Sequence, residues 1–407
     1  MARNIITGID AGSSMIRVIT AEQKNGGGLN ILGANQKQSD GIRRGYIVNL
    51  EDAAKSISEA VKGAEKIAGF PIKKAVISIG GISLSSCKSK DTIMISRPDG
   101  EITDYDVKRL ISQCEDNLHN ISNKHIVHTV PLRFKIDNNP VLGKPAGMKG
   151  TKLEVETMFV TCLNQHLNDL VKTVESAGIS VEDIVASPLA MSHTVLTKYQ
   201  KEVGCVLANI GASTVSVVVF EEGLPISLEV FPIGSTHITN DIALGLQIPL
   251  EEAEKLKIGY GSDISSTPKR KLTDIIDARL NDIFEIIESH LKKINRNEML
   301  PAGIIMTGGG SSLFSLEEIA KASLKLPSRI GTFSAKGHNN HSANITASSN
   351  NLKELIFNNP GWSVALGLCI NNLNENFICD NCSTSKAGKK IGQVGQIIKR
   401  CLSSILP

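Results

Sequence analysis

A short pattern that occurs twice constrains this sequence more than any other feature. Two apolar, β-branched runs, Asn4–Asp10 and Met15–Glu22, flank the turn Ala11-Gly12-Ser13-Ser14. At a constant offset of 199 residues, Asp10 falls on Asn209, Gly12 on Gly211, Ser14 on Ser213 and Val18 on Val217. The second turn again follows one apolar run, Cys205–Asn209, and precedes another, Val215–Phe220. Such runs on either side of a glycine predict strand–turn–strand units. Two copies in one chain predict two similar lobes facing one cleft. A chain of 407 residues has room for them, at about 150 residues per domain.

The turns carry a chemical implication. Small residues between two strands expose successive backbone N–H groups, and these wrap a polyphosphate where no side chain blocks approach. Asp10, ending its strand beside such a turn, can hold Mg²⁺ through water, and Arg17 can add a cationic contact. On Gly12 alone a plain β-hairpin is the better account of the pattern. A third segment adds weight. Ile304-Ile305-Met306-Thr307 reads as a buried strand running into Gly308-Gly309-Gly310 and then a helix. A glycine run there lets a flat nucleoside lie against the backbone. Glu254 and Lys257, at i and i+3 on one helix face, can hydrogen-bond ribose and adenine, the alternative being a solvated charge pair.

The rest of the chain organises around these motifs. Asn49 is placed to cap a helix running to Ala68, with Ala53, Ala54, Ile57, Val61, Ala64 and Ile67 on one face. Residues 84–161 change character to a polar, Asp- and Asn-rich strand–helix pattern, with Thr103 and Asp106 spaced as a capping box, which predicts an inserted α+β subdomain. Thr236–Leu246, Leu250–Ile258 and Thr273–Ile294 read as helices, and Ser334–Asn351 as a loop. Pro360 is expected at the first turn of a helix through Leu368. His125 and His128 lie in an alternating run where surface or edge positions are expected. Aromatic residues make up 4% of the chain, with a single tryptophan, Trp362, and net charge is +3. Neither favours a nucleic-acid partner. The eight cysteines are scattered and read as reduced thiols, and the lone pair Cys379 and Cys382 lacks the further ligands a zinc site needs.

The last segment has its own pattern. From Ser383 to Pro407 there are five basic residues and no acid. Ile391, Val394, Ile398, Cys401, Leu402 and Ile405 recur at steps of three and four, which gathers them on one helical face, while Lys389, Lys390, Lys399 and Arg400 fall largely elsewhere. A helix of this kind lies in the headgroup plane of an anionic membrane. A polar linker, 371–387, separates it from the folded part.

These motifs in this order resemble the actin-like ATPase superfamily and, within it, the FtsA family of bacterial cell-division proteins. The resemblance runs through Gly8-Ile9-Asp10-Ala11-Gly12-Ser13-Ser14, Ser187-Pro188-Leu189-Ala190, Thr307-Gly308-Gly309-Gly310 and Gly361-Trp362-Ser363-Val364-Ala365-Leu366-Gly367. It implies an α/β, actin-like (ribonuclease-H-like, duplicated) two-lobed fold. Residues 1–83 and 162–200 would form the first lobe and 84–161 an inserted SHS2-type subdomain. The second lobe would span 201–370, with a smaller part at about 236–300, and a C-terminal amphipathic helix 388–407. It further implies ATP and Mg²⁺ as ligands, an actin-like filament, docking of the FtsZ C-terminal tail on 236–300 with Arg270 and Arg279 at hand, other division proteins met through the insert, and a place on the cytoplasmic face of the plasma membrane at the division site.

The sequence departs from the family at the second phosphate motif, which normally reads Asp-Ile-Gly-Gly-Gly-Thr. Here it is Asn209-Ile210-Gly211-Ala212-Ser213-Thr214. A neutral amide cannot serve as general base, so ATP binding with slow or absent hydrolysis is expected. Two other readings remain at this point. One is a pilus-assembly adaptor of the PilM type, and the other is a sugar or acid kinase, which would need a carboxylate base in the cleft.

Overall fold

The computed structural model describes residues 4–24, 28–118, 121–260, 269–331, 333 and 345–371. The chain opens with an antiparallel meander of β1 (Ile5–Ala11), β2 (Met15–Gln23) and β3 (Leu29–Gln38). A short ribbon, β4 (Ile42–Arg43) and β5 (Tyr46–Ile47), leads into α1 (Leu50–Ala68). The Asn49 side chain accepts the Glu51 and Asp52 N–H groups at the start of α1, and Gly69, at φ 82°, closes its end. The helix buries Ala53, Ile57, Ala60, Val61 and Ala64 and returns the chain to β6 (Lys74–Ile79), parallel to β1.

From Gly80 the chain leaves this lobe to build a separate layer of β7 (Ser85–Met94), α2 (Asp104–Asp116), β8 (Lys124–Ile136), β9 (Asn139–Val141) and β10 (Lys152–Leu163). The strands are antiparallel in the order β7-β10-β8-β9. The Thr103–Asp106 capping box forms, and α2 buries Val107, Leu110, Ile111 and Cys114 against Phe134, Leu153 and Phe159 in a core of their own. The chain comes back through α3 (Asn164–Ser176) to β11 (Ser180–Ala186), which pairs with β6.

Two helices, α4 (Ser187–Val195) and α5 (Lys198–Val203), cross to the second lobe. There follow β12 (Cys205–Ile210), β13 (Val215–Glu221), β14 (Leu224–Phe231), α6 (Ser235–Leu246), α7 (Leu250–Ile258), α8 (Lys269–Lys293), β15 (Ile304–Thr307), a 3-10 turn Gly309–Ser312, α9 (Leu316–Leu324) and β16 (Ser328–Ile330). The chain then returns to the first lobe. β17 (Ile345–Ala347) adds to β3, and α10 (Asn350–Phe357) and a 3-10 turn Pro360–Trp362 precede α11 (Ser363–Asn371).

The duplication read from the sequence extends through both sheets. One runs β11-β6-β1-β2-β3 and the other β16-β15-β12-β13-β14, strand for strand. Asp10 pairs with Arg17, and Asn209 with Ser216 at the same offset. Between the lobes α4 and α11 cross, buried on all sides. Their closest approach is at Gly367, where a Cβ would lie 2.0 Å from the Ala190 carbonyl oxygen, so no side chain fits.

Three expectations change. The Ser- and Asn-rich stretch contains β17, held by register with β3. Pro360 opens a 3-10 turn, and the α-helix starts three residues later, at Ser363. His128 is half-buried rather than on the surface: β9 covers β8 only at Phe134–Ile136, and at the His128 end the ring is covered by β11, His128 Nε2 accepting the Ala186 N–H at 3.0 Å. Burial pulls His128 down to about 4, and burial does the same to His290, ahead of the Lys293 charge. Both are therefore neutral in the fold. Their contribution to stability is complete above the usual histidine range near pH 6.5 and is lost as pH falls toward about 4. Melting temperature is expected to drop on acidification through that window, and His128→Gln, which keeps an acceptor for Ala186, to flatten the drop. An unaltered slope in the variant would remove His128 as a cause.

Candidate functional site

The three glycine segments meet in a cleft of about 590 Å³ between the lobes. Its lining includes Asp10, Gly12, Ser13, Ser14 and Arg17 from the first lobe, and Asn209, Gly211, Ala212, Ser213 and Thr214 from the matching hairpin. Glu254, Lys257, Gly308, Gly309 and Gly310 complete the set, so every cleft residue expected from the sequence lies on this one surface.

The two hairpin turns share one geometry. A Cβ on Gly12 would lie 2.7 Å from the Met15 carbonyl oxygen, and one on Gly211 2.8 Å from that of Thr214. Each turn is too tight for a side chain at that position. The second turn is fixed to α6, because the Gly211 and Ala212 carbonyls accept the Ser235 and Thr236 N–H groups at 2.9 and 2.8 Å. Among the described residues, Ser213 Oγ and Ser363 Oγ are buried without a hydrogen-bond partner, and both residues line the cleft. Orphaned hydroxyls of this kind call for an acceptor from outside the protein, a role that phosphate oxygens can fill. Ser187 and Ser363 are also the first residues of α4 and α11. The cleft therefore receives two helix N-termini, which favour anions.

Asp10 is held at the end of β1 by Ser78 Oγ, which donates to it at 2.8 Å. Burial raises its carboxyl above the usual range, while Ser78 and the Arg17 charge pull it back. Arg17 in turn donates to Gln36 at 3.3 Å and lies 5.8 Å from the centre of the Trp362 ring. Among the described residues no cluster of three or more potential metal ligands occurs. One carboxylate facing a polyphosphate still fits Mg²⁺, which keeps most of its water. Asp10 is the residue that would hold such an ion, through water.

Glu254 and Lys257 form a pair that is solvated on one side only, the Glu254 side chain being half-exposed and Lys257 buried. Lys257 is 8% exposed, and its Nζ donates to Glu254 at 2.7 Å, Thr239 Oγ1 at 2.9 Å and the Ser235 carbonyl at 3.3 Å. Thr239 Oγ1 donates to the same Glu254 oxygen at 2.6 Å. The Lys257 partner and the Thr239 hydroxyl hold the Glu254 carboxyl below its usual range against the opposing effect of burial. The glycines of the third segment divide their roles. Gly308 has φ 92°, and a Cβ there would lie 2.1 Å from Asn209 Oδ1 and 2.7 Å from the Ile210 carbonyl oxygen. Gly310 packs on Ile210, while nothing lies within 4 Å of a Cβ on Gly309. Gly309 is thus the open face against which a flat ring can rest.

Sequence reasoning missed Ser78, Gly80, Gly81, Ser187, Ser235 and Ser363 in this lining. Their signal was positional: Ser78, Gly80 and Gly81 end or follow β6, beside β1, and Ser187, Ser235 and Ser363 begin α4, α6 and α11, near the carboxyl edges where α/β sheets open their crevices. Of the expected partner residues, Arg270 is exposed in the first turn of α8. Arg279 is already engaged, donating to Asp241 at 2.6 and 3.0 Å and pairing with Asp282 at 3.1 Å. The expected membrane residues Lys389, Lys390, Ile391, Val394, Ile398, Lys399, Arg400, Leu402 and Ile405 lie outside the described residues, as does the Cys379/Cys382 pair. No helix among the described residues is long and apolar enough to cross a membrane.

Two lobes with the same five-strand order, closing on a cleft lined by paired glycine hairpins, define an actin-like protein. Solved structures agree on the fold: the PilM-PilN type IV pilus biogenesis complex aligns with a TM-score of 0.65 at 15% identity over 90% of this chain and 98% of that one. The ethanolamine utilization protein EutJ of Carboxydothermus hydrogenoformans aligns at 0.51, with 14% identity over 91% and 90%. In sequence, the family described as cell division protein FtsA matches residues 206–367, and the SHS2 domain inserted in FtsA matches 81–161. The cell division protein FtsA of Borreliella burgdorferi is 30% identical over 352 residues, covering 81% of this chain and 85% of the relative. That of Bacillus subtilis is 30% identical over 347 residues, covering 80% and 78%. The chain belongs to the FtsA family of cell-division proteins. The likeness to PilM is one of fold alone.

Proposed function

We propose that this chain binds ATP with Mg²⁺ in the interlobe cleft, hydrolyses it slowly or not at all, assembles into an actin-like filament, and tethers the FtsZ ring to the cytoplasmic face of the membrane through residues 388–407. The observation that carries the reading is the convergence of both glycine hairpins and the Gly308–Gly310 run on one cleft, with two buried hydroxyls there lacking partners. Asp10 holds the hydrated metal. Ser13, Ser14, Ser213 and Thr214 surround the phosphates, and Glu254, held in place by Lys257, and Gly309 take the nucleoside. Asn209 leaves the second hairpin without a base. That argues against the kinase reading, although the Asp10 carboxylate remains in the cleft.

The membrane grip is weak per copy. Each basic residue near an anionic surface contributes ~1 kcal/mol. Each buried Ile or Leu adds ~1.5–3 kcal/mol, and ordering each residue of the helix costs ~1–2 kcal/mol. These terms nearly cancel, so many copies on one filament hold where one does not. Deleting 388–407 is expected to move the protein from the pellet to the supernatant when sedimented with anionic vesicles, while ATP still changes Trp362 fluorescence. Vesicle binding that survives the deletion would sink the anchor. The exposed Arg270 suits an acidic peptide, and an FtsZ C-terminal peptide should retain the chain on beads. Failure of that capture removes the tethering role.

A further inference from the structure

The insert and the first glycine hairpin are joined through one buried imidazole. His166, 2% exposed, begins α3, where the chain leaves the insert. Ser83 lies where the chain enters it. His166 Nε2 is 2.8 Å from the Gly45 carbonyl oxygen. A carbonyl only accepts, so Nε2 carries the proton and donates. Nδ1, 2.6 Å from Ser83 Oγ, is then the acceptor for that hydroxyl. One ring therefore pins both roots of the insert together. It also reaches the cleft, because the Gly45 N–H donates to Ser13 Oγ in the first hairpin turn at 2.9 Å. Ser13 and Gly45 both line the cleft.

This connection has little slack. Gly45, at φ 84°, and Gly81, at φ 85°, cross so closely that a Cβ on Gly45 would lie 2.3 Å from Gly81 Cα. The Tyr46 ring packs on the imidazole with centroids 4.6 Å apart. Ser13 cannot shift without moving Gly45, and Gly45 cannot shift without moving His166 or losing its bond. Packed interiors of this kind move as blocks.

We infer that His166 is a positioning residue for the first phosphate turn and the link by which the insert responds to occupancy of the cleft. The inference rests on the reading of that cleft as a nucleotide site. Gln at this position can still donate to Gly45 from the place of Nε2, but it does not reach Ser83. Leu can do neither.

The test uses the full chain with and without Mg²⁺ and ATP. Affinity is read from Trp362 fluorescence and local response from amide hydrogen exchange. In the unaltered chain ATP should slow exchange at Gly12–Ser14 and change it in Ser85–Met94. His166→Leu should weaken ATP binding about tenfold, as expected for loss of a buried hydrogen bond, and His166→Gln should recover affinity to within about threefold. Ser83→Ala, a small change for which misfolding is not expected, should bind ATP normally yet lose the response in Ser85–Met94. ATP that slows exchange at Gly12–Ser14 but leaves Ser85–Met94 unchanged in the unaltered chain overturns the inference and spares the nucleotide reading. ATP without effect anywhere overturns both. A Ser83→Ala chain that responds like the parent, or a folded His166→Leu chain with parental affinity, also overturns it.

Discussion

Asn209→Asp is expected to raise ATP turnover about a hundredfold, the usual scale for a positioned general base. The two residues are isosteric, so the variant should fold as the parent does. Asn209 ends β12 as Asp10 ends β1, on opposite walls of the cleft. The first wall offers a carboxylate and the second an amide, whose oxygen rests against Gly308. With a carboxylate on both walls, one can organise the hydrated metal while the other takes a proton from water. Phosphate release under single-turnover conditions measures the change directly. The parent should turn over well under several ATP per minute. A faster parent, with little further gain from the substitution, would mean that some other group acts as base.

The other large effect belongs to Gly308. Alanine there must adopt φ near 92° and place its Cβ 2.7 Å from the Ile210 carbonyl oxygen, a backbone atom fixed by β12 pairing with β15. Left-handed backbone costs an L-residue ~1–2 kcal/mol, and overpacking a fixed site adds ~1–3 kcal/mol. Gly308→Ala should therefore lose about 2–5 kcal/mol of stability and most of its ATP affinity. Gly309→Ala is the informative companion. Its Cβ meets nothing in the protein within 4 Å, so stability should hold within about 0.5 kcal/mol, while the methyl enters the space for the base and weakens binding. Thermal melts and ATP titrations of the pair separate the two effects. Equal losses of stability in both would contradict the division of roles.

These glycines also explain what a sequence reader can see. Gly12, Gly211, Gly308 and Gly310 were legible because crowding leaves no room for a side chain there, and a constraint on the chain itself leaves its mark at fixed positions. The 199-residue offset was legible for the same reason and extends into the strand order of both sheets. Lys257 was not: an i, i+3 charge pair reads alike on a solvated face and beneath a cleft, and only the packing of α6 against α7 buries it. His128 misled because alternation locates a strand but not its neighbours: at that end β8 pairs with β10 alone, and β11, distant in the chain, covers the ring. The three-residue β17 has no periodicity to read and owes its existence to the waiting edge of β3. Arg279 looked available because its partner Asp241 is distant in the chain.

The insert also covers the open edge of the second lobe's sheet. β14 is the last strand of its sheet, and the insert lies along it through β7. Ser86 Oγ accepts the Leu228 N–H at 2.8 Å and donates to the Leu228 carbonyl at 2.9 Å, as a neighbouring strand would. A bare strand of this kind recruits other chains. The insert is thus a stopper as well as a module, and a shortened chain without it would be left with adhesive backbone and a tendency to clump.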